Sequence, residues 1–263
     1  MNRSRSVGLI GCGAIGASVA EQLLQGAVPG YTLLGVVSRS TTPPRYPAMG
    51  LDRLLDRCDV VIEAAGHAAL TEHGPRIRDA GIDLIVASVG ALADDTLRTQ
   101  LWAAGPGRLI LSSGAIGGLD VLQSAALGGG LDEVHLTTTK PSHVLRQSWM
   151  DKCLVTALTH GKEPVTAFEG PARRAVDLFP TSVNVAATLA LATLGFDRTR
   201  VRVVGDPGAT VVEHRITAAG RAGEYEFIFR NNPARDNPRT SGIVPYAMLR
   251  SLRDLSATVV VGG

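Results

Sequence analysis

The chain has 263 residues, enough for one large domain or two modest ones. Hydrophobic residues make up 45% and charged residues 19%, which excludes a disordered chain. Its 26 Lys and Arg against 24 Asp and Glu leave a net charge of +2 with the basic residues scattered, which argues against a nucleic acid or a membrane surface as partner.

No stretch reaches the roughly 18 apolar residues that a membrane-spanning helix needs. The opening MNRSRSVGLIGCG has only a short apolar run broken by glycines, unlike a secretory signal. Cys12, Cys58 and Cys153 lie far apart without CxxC spacing, so neither a disulfide framework nor a zinc site is expected. A reducing cytoplasm fits this usage. The six histidines and the acids show no metal-ligand spacing, so no metal is expected.

The first 120 residues alternate between short apolar runs and helical patterns. Residues 7–10, 31–37, 59–63, 83–87 and 108–112 read as strands, many of them rich in β-branched residues. Residues 14–24, 51–57, 67–80 and 94–104 read as helices; in the first, Ile15, Val19, Leu23 and Leu24 share a face. Five short strands alternating with helices predict an α/β fold, a doubly wound parallel sheet with helices on both faces.

Beyond residue 119 the pattern changes. Residues 120–126 and 181–194 read as helices. Residues 133–139, 153–155, 165–168, 200–204, 211–218 and 224–230 read as strands, with a GRAG turn at 220–223 joining the last two as a hairpin. Residues 240–255 read as a closing helix. The expected organisation is a first domain over 1–119, a mixed α+β domain over 120–238, and a C-terminal segment over 239–263 packing back on the first domain.

GCGAIG at 11–16 is a G-x-G-x-x-G loop that follows a predicted strand and opens a predicted helix, the context that makes this pattern a dinucleotide signature. In this Rossmann reading Gly11 allows the tight turn, Gly13 the approach of a diphosphate, and Gly16 close helix–strand contact. Ala14 and Ile15 begin the helix whose free N–H groups face the phosphates. After the second strand an NAD site usually carries Asp or Glu for the ribose hydroxyl. Here stand Ser38, Arg39 and Ser40, which point to a 2′-phosphate, so NADP is favoured over NAD. Ala65 and Gly66 after the third strand, and Ser88 and Val89 after the fourth, fall where carboxyl ends of parallel strands line a ligand crevice. His67 and His73 read as structural or solvated.

SSGAIGGLD at 112–120, FEGPARRAVDLFPTSVNVAATLALA at 168–192, GDPGATVVEHRI at 205–216 and NNPARDNPRTS at 231–241, taken with GCGAIG, resemble the L-aspartate dehydrogenase family through nearly the whole chain. The resemblance implies an N-terminal Rossmann domain and a C-terminal substrate-binding domain that builds a homodimer. It implies oxidation of an amino acid, L-aspartate, to its imine with NAD or NADP, followed by release of oxaloacetate and ammonia. It places the catalytic histidine on His214 and cofactor contacts on Ala115, Ser182 and Asn184. Two positions depart from the family: Ser182 and Val212 stand where the family usually has Asn. Val212 cannot supply an amide's hydrogen bonds, which keeps open a reductase of another imine or carbonyl compound, or a non-catalytic nucleotide-binding regulator.

The chemistry is consistent with these residues. Oxidising an amine at Cα requires the ammonium to lose a proton, and an imidazole titrating near neutrality suits that step. Alone, His214 reads equally well as a sheet-surface histidine. A dicarboxylic substrate asks for cationic or hydroxyl partners, here Lys140 at the end of a strand and Thr240 in NPRTS beside Arg239. Thr240 or Ser241 reads as the cap of the closing helix, and Asp120 as the cap of its own. Glu169 and Arg173 read as a structural pair. Cys153 in DKCLV reads as a buried strand cysteine, and Cys12 as a small packing residue.

Overall fold

The computed structural model describes residues 4–39, 42–103, 105–180, 184–235 and 237–261. The chain divides into two compact units, residues 1–114 with 244–263, and residues 115–243.

The first unit is built from β1 (Arg5–Ile10), α1 (Ala14–Leu24), β2 (Tyr31–Val37), α2 (Leu51–Arg57), β3 (Val60–Glu63), α3 (His67–Asp79), β4 (Asp83–Val86), α4 (Asp95–Ala103) and β5 (Leu109–Leu111). The strands form one sheet in the order β2-β1-β3-β4-β5. All four pairings are parallel. Strands β3 and β4 are buried throughout, as strands covered on both faces must be. The order reverses beside β1, because β2 lies on one side and β3 on the other. That reversal creates the crevice at which the glycine loop sits.

The closing helix, α9 (Val244–Asp254), belongs to this unit. Its Met248, Leu249 and Leu252 join Val19, Ala20 and Leu23 of α1 in one core against Val7, Leu9 and Ile62. Asp83 ties strand starts together, with Arg5 at 2.8 Å and Arg108 at 3.0 Å. Burial works against its charge, but hydrogen bonds from Arg108 and Arg5 outweigh it and hold the carboxyl below its ordinary value.

The second unit carries α5 (Leu119–Leu127), β6 (Glu133–Pro141), α6 (Lys152–His160), β7 (Val165–Pro171), α7 (Ala172–Leu178), α8 (Asn184–Ala192), β8 (Arg200–Asp206), β9 (Val212–Gly220), β10 (Gly223–Asn231), and a small ribbon of β11 (Pro233–Ala234) and β12 (Asn237–Ser241). Its main sheet runs β10-β9-β6-β8-β7. Strand β6 pairs parallel with β8 and antiparallel with β9, so the sheet is mixed. Burial alternates along β9 from Val212 to Ala219, which gives the sheet one buried and one wetter face.

Several expectations need correction. Residues 153–155 are helical, not a strand. Asp151 accepts the Leu154 N–H at 2.8 Å and starts α6, a side-chain cap that decides the element against the β-branched run. Cys153 is consequently exposed, not buried. The closing helix begins at Val244, because Thr240 and Ser241 are drawn into β12, where Ser241 faces Pro233; they do not cap it. Asp120 lies in the first turn of α5, whose cap is Gly118 in a left-handed conformation (φ +69°). Glu169 pairs with Arg202 and Arg173 with Asp197, each across a strand or helix boundary that sequence spacing does not reveal. The helix expected from residue 181 is described from Asn184; residues 181–183 lie outside the described residues. Among the described residues, no helix is long and apolar enough to cross a membrane. Among them, no cluster of His, Cys, Asp and Glu is placed to hold a metal.

Candidate active site

The glycine loop owes its shape to steric necessity. Gly11 has φ +97°, and a Cβ there would stand 2.6 Å from the carbonyl oxygen of Ala64. Only glycine satisfies both conditions. A Cβ on Gly16 would collide with the carbonyl oxygen of Gly11, so Gly16 lets α1 close against the loop itself and not only against the strand. Gly13 differs: a Cβ there would meet nothing within 4 Å. Its bareness serves no internal contact and leaves the backbone open to a visitor. Gly13 also caps α1 without a side-chain bond, so the first N–H groups of the helix keep their pull on an anion.

A cleft of about 350 Å³ opens over this loop, lined by Gly11, Gly13, Ser38, Arg39, Ala65 and His73 among others. Five of these are residues expected from sequence to hold a dinucleotide, and Arg39 is exposed at the end of β2. Ser40 lies outside the described residues. The side chain of Ile15 packs against the core, so Ile15, like Ala14, has its backbone to offer. Val89 is buried and opens a single 3₁₀ turn.

Sequence reasoning missed Glu63, the last residue of β3. It is 1% exposed. Its Oε1 accepts the N–H of Ala65 at 2.7 Å, the N–H of Gly66 at 2.9 Å and the hydroxyl of Ser88 at 2.9 Å. Its Oε2 accepts the N–H of Ser88 at 3.1 Å. One carboxylate thus fixes both loops that follow β3 and β4. Burial pushes the carboxyl above its ordinary value, while the donors from Ala65, Gly66 and Ser88 pull the other way. The only signal in sequence was an acid at the end of a wholly apolar run.

In the second unit His214 lies on the buried face of β9, 2% exposed. It stands opposite Thr138 of β6 and Phe229 of β10. The Thr138 hydroxyl, itself wholly buried, is 3.0 Å from Nδ1, so the contact engages Nδ1 and not Nε2. Two residues along β6, on the same buried face, is Lys140, 4% exposed. Burial pulls the Lys140 ammonium down to about 8. Burial first, and the charge of Lys140 second, pull His214 down to about 3. The imidazole is therefore neutral across the whole ordinary pH range, and its burial makes it a weak base there.

The SGAIGG loop lies on this sheet too. Asn231 donates from Nδ2 to the carbonyl of Ala115 at 2.8 Å, and Gly118 is so close to Phe227 that a Cβ would stand 2.6 Å from the ring. Asn231, which holds Ala115 in place, is a second residue that sequence reasoning missed; 116 positions separate the partners. Val212 faces Asn231 across the β9–β10 pair and is 7% exposed. Asn184 opens α8, Thr240 is half-buried in β12, and Ser182 lies outside the described residues.

Comparisons to known proteins agree with this architecture. The family description "Aspartate dehydrogenase, C-terminal" matches residues 120–255, and "Homoserine dehydrogenase, NAD binding domain" matches residues 11–106. The chain is 39% identical to the L-aspartate dehydrogenase of Ruegeria pomeroyi, covering 96% of this chain and 93% of that protein. It is 37% identical to that of Methanosarcina barkeri, covering 97% and 98%. The crystal structure of aspartate dehydrogenase from Thermotoga maritima superposes with a TM-score of 0.76 at 27% identity, covering 98% of this chain and 99% of that one. With full-length likeness of this order, the chain belongs to the L-aspartate dehydrogenase family.

Proposed function

We propose that this protein oxidises L-aspartate to its imine with NADP or NAD, NADP preferred, and that water then yields oxaloacetate and ammonia. The observation that carries the reading is His214, held neutral by burial and oriented by Thr138, beside the buried cation Lys140.

The glycine loop fits a dinucleotide, because Gly13 leaves open the space that an ordinary residue's Cβ would fill. Gly11, Gly13, Gly16 and the start of α1 at Ala14 and Ile15 would hold its diphosphate. Ser38, Arg39 and Ser40 would hold the adenosine ribose, with Arg39 favouring a 2′-phosphate. Ala65, Gly66, Ser88 and Val89 would line its other half. Ala115, Ser182 and Asn184 are assigned to the cofactor through the family resemblance. Once bound, the nicotinamide supplies the acceptor for the Cα hydride.

The chain's own task is the proton and the charges. Lys140 attracts a substrate carboxylate, and Thr240 adds a hydroxyl. Burial is the larger cause of the low basicity of His214; neutralising Lys140 removes the smaller one and raises that basicity when substrate is present. Nε2 then takes the ammonium proton, so that the lone pair on nitrogen can form the C=N bond. A homodimer through this unit is assigned through the family resemblance.

The direct test follows absorbance at 340 nm with L-aspartate and each oxidised cofactor at alkaline pH. Rapid reduction, faster with NADP, is expected. The buried apolar Val212 beside the site favours one second reading, a reductase of a less polar imine or carbonyl compound. Bound cofactor with no turnover of L-aspartate, and turnover of such a compound, would establish it instead.

A further inference from the structure

Glu63 is a buried carboxylate to which no cation among the described residues offers compensation. No Lys, Arg or His among the described residues interacts with it, and its partners are three backbone N–H groups and one hydroxyl. A backbone N–H can only donate, and fixed donors reach both oxygens. Such a donor set matches an ionised carboxylate, since a protonated oxygen accepts poorly. Burying an anion without a counter-ion is costly, and an apolar residue could have ended β3. The geometry therefore asks what positive charge this carboxylate meets.

Its position in the sheet answers the question. The glycine loop follows β1, and Arg39 stands at the end of β2 on one side of it. A dinucleotide whose diphosphate lies at the start of α1 and whose adenosine lies over β2 must extend its other half over β3 and β4. Those strand ends carry Ala65, Gly66 and Ser88, the three residues that Glu63 binds. The nicotinamide ring carries a full positive charge when oxidised and none when reduced. We propose that Glu63 is a positioning residue that sets the two cofactor loops and, by its charge, makes this protein bind the oxidised cofactor more tightly, relative to the reduced one, than the same loops would without it.

This inference rests on the nucleotide-binding reading above. Its test is calorimetric titration of the intact protein with oxidised and reduced NADP, taking the ratio of the two dissociation constants. Glu63→Gln keeps the size of the side chain and removes the charge. The variant is expected to lose affinity for the oxidised form by at least about fivefold more than for the reduced form, because a charge in a low-dielectric site acts at several ångströms. Glu63→Asp keeps the charge but shortens the reach, so both forms should weaken together and the ratio should stay within about twofold of wild type. A loss of loop order alone would weaken both forms in either variant and leave the ratio unmoved. An unmoved ratio in Glu63→Gln, or a ratio that moves equally in Glu63→Asp, overturns the inference. Should Glu63→Gln fail to fold, Glu63→Ala admits water to the freed N–H groups and gives the same ratio to the same criterion. If wild type binds both cofactors and the ratio does not respond, only the role of Glu63 falls. If wild type binds neither, the nucleotide reading falls and takes this inference with it.

Discussion

In the proposed function the two units make their sites from different material. In the first, the working groups are mostly backbone: a glycine loop, the bare start of α1, and two loops drawn onto Glu63. In the second they are side chains, His214, Thr138 and Lys140, placed on facing strands and nearly sealed from water. A backbone site needs particular residues for what they lack, and its tolerance is steric. A side-chain site needs them for what they carry, and its behaviour is electrostatic. The difference predicts different responses to substitution.

The largest expected effect is in the second unit. His214→Ala should lower turnover by about 10²–10⁴-fold, the usual range for a general base, and leave cofactor affinity within about twofold. A variant with wild-type turnover would remove His214 from the proton step and with it the contrast between the units.

The glycines sharpen the backbone half. Gly16→Ala forces a Cβ onto the Gly11 carbonyl and should destabilise the first unit by about 1–3 kcal/mol, seen as a lower Tm. Gly13→Ala meets nothing in the protein, so its Tm should shift by no more than about 0.5 kcal/mol allows, while cofactor affinity falls by about tenfold or more. Equal behaviour of the two variants would mean that Gly13 serves the fold and not a ligand.

The next effect is one of pH. Lys140 is charged below about 8 and loses its proton above it. The KM for L-aspartate should therefore rise with pH above 8, by about tenfold at one unit beyond. His214, pulled down to about 3, adds no inflection between 5 and 9 in the substrate-free protein. Lys140→Met should raise KM and abolish the inflection; a variant that keeps it would assign the titration to another group. The smallest effect belongs to the edge of the first unit. Arg39→Asp should move cofactor preference from NADP towards NAD by about tenfold, the scale of one charge-assisted contact at an exposed position. Steady-state kinetics with both cofactors reads it directly.

The parts of the fold that follow from local pattern were legible. The five parallel strands of the first unit fall where apolar runs alternate with helical spacing, and β9 and β10 where residues alternate across a hairpin. The errors lie where one contact overrides propensity. Asp151 turns a strand-like CLV into a helix, and the pairing of β12 with β11 holds Thr240 and Ser241 out of α9. Gly11 and Gly13 were proposed from a motif, Arg39 from its place after the second strand and His214 from the family resemblance. Glu63, Asn231 and Thr138 were not, because each acts through a partner in another loop or strand.

Sequence alone determined the classes of element, the nucleotide loop and the family, since these rest on spacing within a few residues or on order along the chain. Only the tertiary structure decided the state of the chemistry. Thr138 and His214 are 76 positions apart, and a register between β6 and β9 is needed to bring a hydroxyl to Nδ1. The depressed values of Lys140 and His214 arise from burial, a property of the packed sheet face and not of either residue. The same holds for Glu63, whose charge acquires its consequence from the two loops folded around it.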